Sequence, residues 1–472
     1  MKFLVSPYLR YLGAGAVLSV ILLTFLLFDR NSDSYFTNSG ARGYILKQPV
    51  ANTQCANAGT NTDSSSSSEP GSGRNATREW TFDVRRDGDN HGLSHEQCLA
   101  AFPKLFIEID KAVKERLTDG GKGLISFKEV DDLASGDEDG LVRAVIRGGE
   151  LYIIDFGNMP YTFSRGKATL HSLNRALAAY PDRHELPDIE FVFSTDDYSN
   201  GKSPIWSYSK RAQDTGVWLM PDFGYWSWPE VKVGSYKEIR RKIAAIDDGD
   251  SSSSSSKKPG AGLPFHSKKK QLAWRGSLAP NPEIRGSLLA ASKGKSWASI
   301  KEINWPSSSS SSPSSSSTPE NLLPMENHCT YMFLAHTEGR SFSGRGKYLL
   351  NCRSVFVSHK LEWIEAHHGA LISSGPEQNY VEVERDFSDL ERKIEFLLDN
   401  PETAERIAQN SVRVFRDRYL TPAAESCYWR ALVRAYGGAS GFVPVLTEGE
   451  KEKEKDKKME RGVAFESWVL QK

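Results

Sequence analysis

Residues 94–437 alternate strand and helix patterns, and no other feature of the chain restricts its fold as tightly. In the later part of that span, residues 271–274 read as a strand, 283–291 as a helix and 330–335 as a strand. A helix at 347–352, a buried strand at 354–357, a helix at 361–367 and a strand at 380–383 follow. Apolar strands separated by helices are satisfied by a parallel sheet covered on both faces. Helical patterns at 389–398, 402–419 and 423–436 close the span. The earlier part has the same ingredients. Ser94-x-x-Gln97 has the spacing of a capping box and opens a helix through Phe106, Ile109 and Val113, with a kink expected at Pro103. Residues 141–146 and 151–156 flank Gly148-Gly149 as a hairpin, 169–180 is helical, and 189–194 is a short apolar strand. Two α/β halves with a cleft between them are expected.

At 472 residues the chain is long enough for roughly two or three domains, and its 11% aromatic content excludes a wholly disordered polypeptide. Basic and acidic residues balance at 60 each. Binding nucleic acid needs a basic surplus, so that class is excluded, while a local basic pocket for a phosphorylated small molecule is not. The five cysteines are too few for a disulfide scaffold, enough for one or two bridges, and odd in number.

Ahead of the folded span, residues 12–28 (LGAGAVLSVILLTFLLF) form an unbroken run of apolar and small residues, with Lys2 and Arg10 before it. At 1.5 Å per residue it reaches about 26 Å, enough to cross a bilayer once flanking side chains snorkel. The run exceeds the apolar core of a cleaved signal and no small-x-small site follows, so a signal-anchor is expected. Its cationic end comes first, which places the N-terminus in the cytosol and the remainder in the lumen. The sequon at Asn75 fits that side, and without a KDEL-type terminus the expected address is the Golgi membrane, with the endoplasmic reticulum as alternative. The chain then divides into a cytosolic tail at 1–11, the anchor at 12–28, a disordered stem at 29–93 and a first domain at 94–250. A Ser-rich insertion at 251–262, a second domain at 263–437 with its own insertion at 307–317, and a polar charged tail at 438–472 complete it.

In open α/β sheets, ligands bind beyond the carboxyl ends of strands, and three segments lie there. Asp196-Asp197-Tyr198 follows the strand IEFVFST, where a carboxylate can act as a general base or simply cap a turn. Trp274-Arg275-Gly276-Ser277 ends a strand before a helix carrying Arg285, a composition that suits phosphate oxygens or a surface salt bridge. Ser341-Phe342-Ser343-Gly344-Arg345-Gly346-Lys347 is a small-residue loop entering a helix, an anion cradle by the same physics although it is no Walker A sequence. Trp226 and Trp228 suit either core packing or a sugar face. Asp87-Gly88-Asp89 spells a metal-binding D-x-D but sits in the stem. His367-His368 lacks the spacing and the nearby carboxylate of a zinc site and is expected at the surface. No G-x-S-x-G nucleophile elbow is present.

Five blocks taken in order resemble glycosyltransferase family 90, the fungal capsule-associated transferases and animal protein O-glucosyltransferases. They are LPDIEFVFSTDDY, FGYWSWPE, LAWRGS with the following Pro-Glu-Ile-Arg, HCTYMFLAHTEGRSFSGRGKYLLNC and the closing CYW, and the resemblance they carry covers residues 94–437. The resemblance implies an α/β, GT-B-like fold of two Rossmann-like domains facing a cleft, behind the N-terminal transmembrane anchor, and an inverting transfer that needs no metal. It makes Asp197 the catalytic base, with Asp196, where animal members carry another residue, and Tyr198, Trp226 and Trp228 as sugar or acceptor contacts. It places Arg275, Gly276, Ser277, Arg285, Ser343, Arg345 and Lys347 on the nucleotide diphosphate. Gly346 stands where an apolar residue is commoner in the family. The resemblance also implies a bridge Cys329–Cys352, and beside it a bridge Cys98–Cys427 that ties the ends of the folded span. Cys55 in the stem is left over, as a free thiol or a link to a second chain.

The expected function is a lumenal transferase that moves xylose or glucose from a UDP-sugar to a hydroxyl of a glycan or protein, without a cofactor. A catalytically inactive sugar-binding or scaffold protein of the same fold is the alternative from another class. A metal-dependent transferase using the D-x-D is the third reading.

Overall fold

The computed structural model describes residues 80–118, 121–134, 140–198, 201–231, 233–249, 262–303, 319–448 and 459–471. The apolar run at 12–28, Cys55, Asn75 and the three serine tracts lie outside them. Among the described residues no helix is long and apolar enough to cross a membrane.

Regular structure is already present at the end of the stretch read as a stem. Asp83 accepts the amides of Arg85 and Arg86 and so caps the single turn α1 (Val84–Asp87). Asp87 is buried and bonded by Arg86, and Asp89 pairs with Lys237 at 2.8 Å. The two carboxylates of the D-x-D are thus committed to separate structural partners. The capping box of Ser94 and Gln97 closes in both directions over α2 (His95–Ala101). That helix does not bend at Pro103 but ends: Phe102 leaves the helical region and α3 (Ile107–Leu117) starts anew. Proline supplies no amide to the ladder and pushes the preceding residue toward extended backbone.

After α4 (Phe127–Ala134), β1 (Leu141–Arg147) and β2 (Glu150–Phe156) form the expected hairpin. Gly148 and Gly149 both carry positive φ, 57° and 78°, as a primed two-residue turn requires. Helix α5 (Pro160–Ala178) covers the sheet, and β3 (Ile189–Ser194), buried throughout, pairs antiparallel with β1. The short strands β4 (Trp206–Ser207), β5 (Lys210–Arg211) and β6 (Trp218–Leu219) follow, of which β4 and β6 extend the sheet parallel to β3. This sheet is therefore mixed, and the expectation of a Rossmann-like first half is corrected. A tight turn forces antiparallel neighbours, whereas a parallel pair needs a long crossover.

A small antiparallel ladder, β7 (Ser227–Trp228) and β8 (Val233–Ser235), leads into α6 (Tyr236–Asp248). The second half is the parallel sheet that the alternation demands. Its strands β9 (Lys269–Gly276), β10 (Ala298–Glu302), β11 (Tyr331–His336), β12 (Val355–His359) and, after the short β13 (Trp363–Ile364), β14 (Val381–Val383) lie in the order β10-β9-β11-β12-β14. Helix α7 (Pro282–Ser292) crosses from β9 to β10, and α8 (Gly346–Leu349) is a single turn where a longer helix is expected. The helix expected at 361–367 is absent. Glu338 takes the amides of Glu362 and Trp363 at 2.8 Å each, and β13 pairs with β5 of the first half. Those tertiary bonds replace the local ladder a helix would have used.

Helices α9 (Leu390–Asp399) and α10 (Pro401–Ser411) cover the parallel sheet, and the chain widens into a π-helix at Val412–Tyr419. Helix α11 (Pro422–Ala439), capped by Thr421, then returns to pack on α3 and α5. The bridge Cys98–Cys427 secures that return across 329 residues, and Cys329–Cys352 joins the starts of β11 and β12. The charged run at 449–458 of the tail lies outside the described residues, and the end of the tail beyond it is folded. After the pair β15 (Thr447–Glu448) and β16 (Met459–Glu460), β17 (Val463–Ala464) joins the first sheet beside β2. Helix α12 (Phe465–Gln471) buries Phe465 and Trp468, the latter 4.8 Å from the Phe156 ring. Two aromatic residues three apart outweigh the charged run before them, because together they bury a large apolar area.

Candidate active site

The carboxyl ends of β3, β9 and β11 open on one cleft of about 490 Å³, lined from both halves by Asp197, Arg275, Gly276, Ser277, Arg285, Ser343 and Arg345. All three segments singled out by strand-end position meet there.

On the first-half wall, α5 is stitched to the end of β3 nearly residue by residue. Tyr161 donates its hydroxyl proton to Asp196 Oδ1, the Thr162 and Thr195 hydroxyls lie 2.8 Å apart, and Arg165 Nη1 donates to Asp197 Oδ1 at 2.8 Å. Burial, then the bond to Asp196 and its charge, hold the Tyr161 phenol well above its usual range, so it remains the donor. Arg165 Nε also donates to Glu230 at 3.1 Å. Asp197 is not pinned through its side chain alone: Ser341, from the other half, and Ser209 donate to its backbone carbonyl.

The second-half wall has the opposite character. Arg275 donates to the carbonyls of Trp274 and Ser299, and Arg285 to those of Ser277 at 2.6 Å and Glu338 at 3.1 Å. Among the described residues no carboxylate pairs with Arg275, Arg285 or Arg345, and the Arg345 guanidinium donates no hydrogen bond. Arg345 lies over the Trp274 ring at 5.8 Å. Burial, reinforced by the charge of Arg285, lowers its pKa to about 9. Burial likewise lowers Arg285 to about 10 against the favourable charge of Asp197. An anion in the cleft would relieve that penalty. Gly276 makes the arrangement feasible, since a Cβ there would meet the Trp274 ring at 2.7 Å and Arg345 Nη2 at 3.1 Å. The glycine at 346 has a local reason as well, because a Cβ would lie 2.8 Å from the His336 ring.

Beyond the arginines the lining includes an apolar shelf of Ile303, Leu322, Leu323, Pro324 and Met325 together with Val233 and Ile239, and the charged residues Glu238, Lys242, Glu326 and Arg340. His328 lies beneath; burial and then the Arg345 charge lower its pKa to about 3, so it is neutral. This shelf, Tyr161 and Arg165 are the parts of the site that sequence reasoning missed. The one available signal was the i,i+4 spacing of Tyr161 and Arg165 on a helix.

Three expectations need correction. Lys347 does not reach the cleft: it is fully buried, 2.7 Å from Asp222 and 2.8 Å from the Gly344 carbonyl. Trp228 lines the cleft, but Trp226 stacks on His171 at 4.9 Å beneath Arg175, because Trp226 ends the 3-10 turn Phe223–Tyr225 in helical backbone and lies outside the strand alternation that would align it with Trp228. His367 is buried beside a buried Glu365, with one ligand atom from each of Glu365, His367 and His368 within 4.8 Å. Within this group Glu365 and His368 engage each other, and His367 Nε2 has no hydrogen-bond partner among the described residues. The Glu365 amide donates to His368 Nδ1 at 3.1 Å, which leaves the ring proton on Nε2, 3.3 Å from the Glu365 carboxylate. A cation at Nε2 would have to displace that proton. Tyr198 sits exposed at the rim, its ring 6.5 Å from Trp363.

Comparison with known proteins bears on this cleft. The sequence profile of glycosyl transferase family 90 matches residues 124–469, which contain every cleft residue named above. An O-glucosyltransferase rumi homolog of Aedes aegypti is 25% identical over 276 residues, 54% of this chain and 63% of that protein. Protein O-glucosyltransferase 1 of Mus musculus is 24% identical over 278 residues, 54% of this chain and 63% of its own, and that of Homo sapiens 24% over 276 residues, 53% and 62%. The chain thus spans about 63% of the length of the first of these relatives.

Proposed function

The chain belongs to glycosyl transferase family 90, and on that premise we propose that it transfers a sugar from a UDP-sugar to a hydroxyl with inversion at the anomeric carbon. The observation that carries the reading is the asymmetry of the cleft. Three arginines without an acidic partner among the described residues face a carboxylate on the opposite wall. In the GT-B-like arrangement we infer, the diphosphate lies against Arg275, Arg285 and Arg345, and the apolar shelf at 322–325 takes the nucleoside. Asp197 Oδ2 accepts the proton of the acceptor hydroxyl, whose oxygen forms a bond to the anomeric carbon from the face opposite UDP. The bond from that carbon to the β-phosphate oxygen breaks, and its electron pair leaves on UDP. Fixed guanidinium groups stabilise that charge without reorganising, the role a metal ion plays in other transferases.

Two disulfides fit a lumenal, oxidising address, and the apolar run at 12–28 is the proposed anchor. The relatives are named for glucose, and the likeness to the fungal branch adds UDP-xylose as a second donor. The test is UDP release by the purified lumenal part with UDP-glucose and UDP-xylose, with and without EDTA. Release with one donor, unchanged by EDTA, is expected. No release with any UDP-sugar across a broad acceptor panel overturns the reading in favour of a binding protein, and loss of release with EDTA overturns its metal independence.

A further inference from the structure

Arg165 is absent from every sequence pattern that marks the cleft, yet it makes the closest contact to the group proposed as base. It enters from α5 one helical turn after Tyr161, so the two residues share a face and take the two consecutive aspartates: Tyr161 holds Asp196, and Arg165 holds Asp197. The guanidinium has little freedom to move. It is bonded to Asp197 Oδ1, to the Thr195 carbonyl at 3.2 Å and to Glu230, and it lies 5.2 Å from the Tyr161 ring and 4.9 Å from that of Phe223.

Two consequences follow for Asp197. Oδ1 is occupied, while Oδ2 accepts no hydrogen bond among the described residues, and the side chain keeps 40% of its exposure. One carboxylate oxygen is therefore clamped and the other left toward the cleft. The second consequence concerns charge. One guanidinium lies between two carboxylates, Asp197 and Glu230, at 2.8 and 3.1 Å, so the trio retains a net negative charge.

We propose that Arg165 is the positioning residue of the transfer: it selects the rotamer of Asp197 in which Oδ2 meets the acceptor hydroxyl. The proposal rests on the reading of Asp197 as the base. Misplacing a reacting group by about 1 Å can cost on the order of 10²-fold in rate, so the effect belongs in kcat and not in donor binding.

The experiment compares the parent lumenal chain with Arg165→Met, Arg165→Lys, Asp197→Asn and the double variant Arg165→Met/Asp197→Asn. UDP release is measured from UDP-glucose and UDP-xylose, with water and with methyl glycosides as acceptors, alongside UDP binding as a check of folding. Arg165→Met should lower kcat by roughly 30- to 100-fold with donor KM within about twofold, and lysine, which can restore one contact, should recover most of that loss. The double variant should be no slower than Asp197→Asn, because the arginine acts only through the aspartate. A parent-like kcat in Arg165→Met, a changed donor KM with kcat intact, or a further loss in the double variant each overturns the proposal. If Arg165→Met does not bind UDP, the lysine variant decides: a kcat lowered by more than about twofold with donor KM intact supports positioning, and a kcat within about twofold of the parent overturns it. Retained turnover in Asp197→Asn, or no release by the parent chain, removes the base reading itself.

Discussion

The two walls of the cleft handle charge in opposite ways. On the first-half wall Asp196, Asp197 and Glu230 are each engaged by a donor from α5, so that side is pre-arranged. On the second-half wall Arg275, Arg285 and Arg345 are anchored at most by neutral oxygens, and Arg345 by none among the described residues. Engaged charges set geometry. Cations without counter-charges, held in place by packing, create an affinity for an anion, since their burial is offset only when one arrives.

Asp197→Asn is the largest expected break in that comparison. Transfer should fall on the order of 10²- to 10⁴-fold while the UDP dissociation constant stays within about twofold, read by UDP release and calorimetry. Next comes Lys347→Met, which strips the partner from buried Asp222 and should lower unfolding stability by about 3–5 kcal/mol in a denaturant titration. Arg345→Gln, two residues away, should do the reverse. It removes a buried cation that lacks a partner, so the melting temperature should hold or rise, while UDP binds roughly 10- to 100-fold more weakly. If both variants destabilise alike, the distinction between engaged and unengaged cations is wrong.

The pH dependence has a definite sign. Arg345 titrates at about 9 in the folded chain against an ordinary value of 12.5, so its folded pKa is depressed. The cost of burying its charge is then fully present below about pH 9 and is relieved as the group deprotonates above it. UDP affinity should decline over that same rise, and a flat binding profile from pH 8 to 10 would show that Arg345 does not meet the diphosphate. The smallest effect is expected for Gly276→Ala, whose methyl group presses on Trp274 and Arg345: donor KM should rise about three- to tenfold with kcat little changed.

Much of this site was legible before any coordinates, because the relevant signals are local. The apolar strand at 189–194, the parallel alternation of the second half and the rule that ligands sit past strand ends located Asp197, Arg275 and Arg345. The sequence equally suggested Arg345 and Lys347 as a pair. About 200° of rotation separates positions two apart on a helical turn, so one side chain enters the cleft and the other turns inward to Asp222. The i,i+3 aromatics Phe465 and Trp468 were a readable sign of a folded terminus, masked by the charged run before them.

What the sequence determined by itself is the inventory: which strands and helices form, which residues end them, and hence which chemistry is offered to a common edge. These follow from period, propensity and capping within about one or two turns of chain. Only the tertiary structure decided which of those groups are engaged. Arg165 meets Asp197 from 32 residues away, Lys347 meets Asp222 from 125, and β13 forms because β5 lies opposite it. A charge's behaviour depends on what surrounds it in space, through burial and counter-charge, and that is fixed when the halves pack.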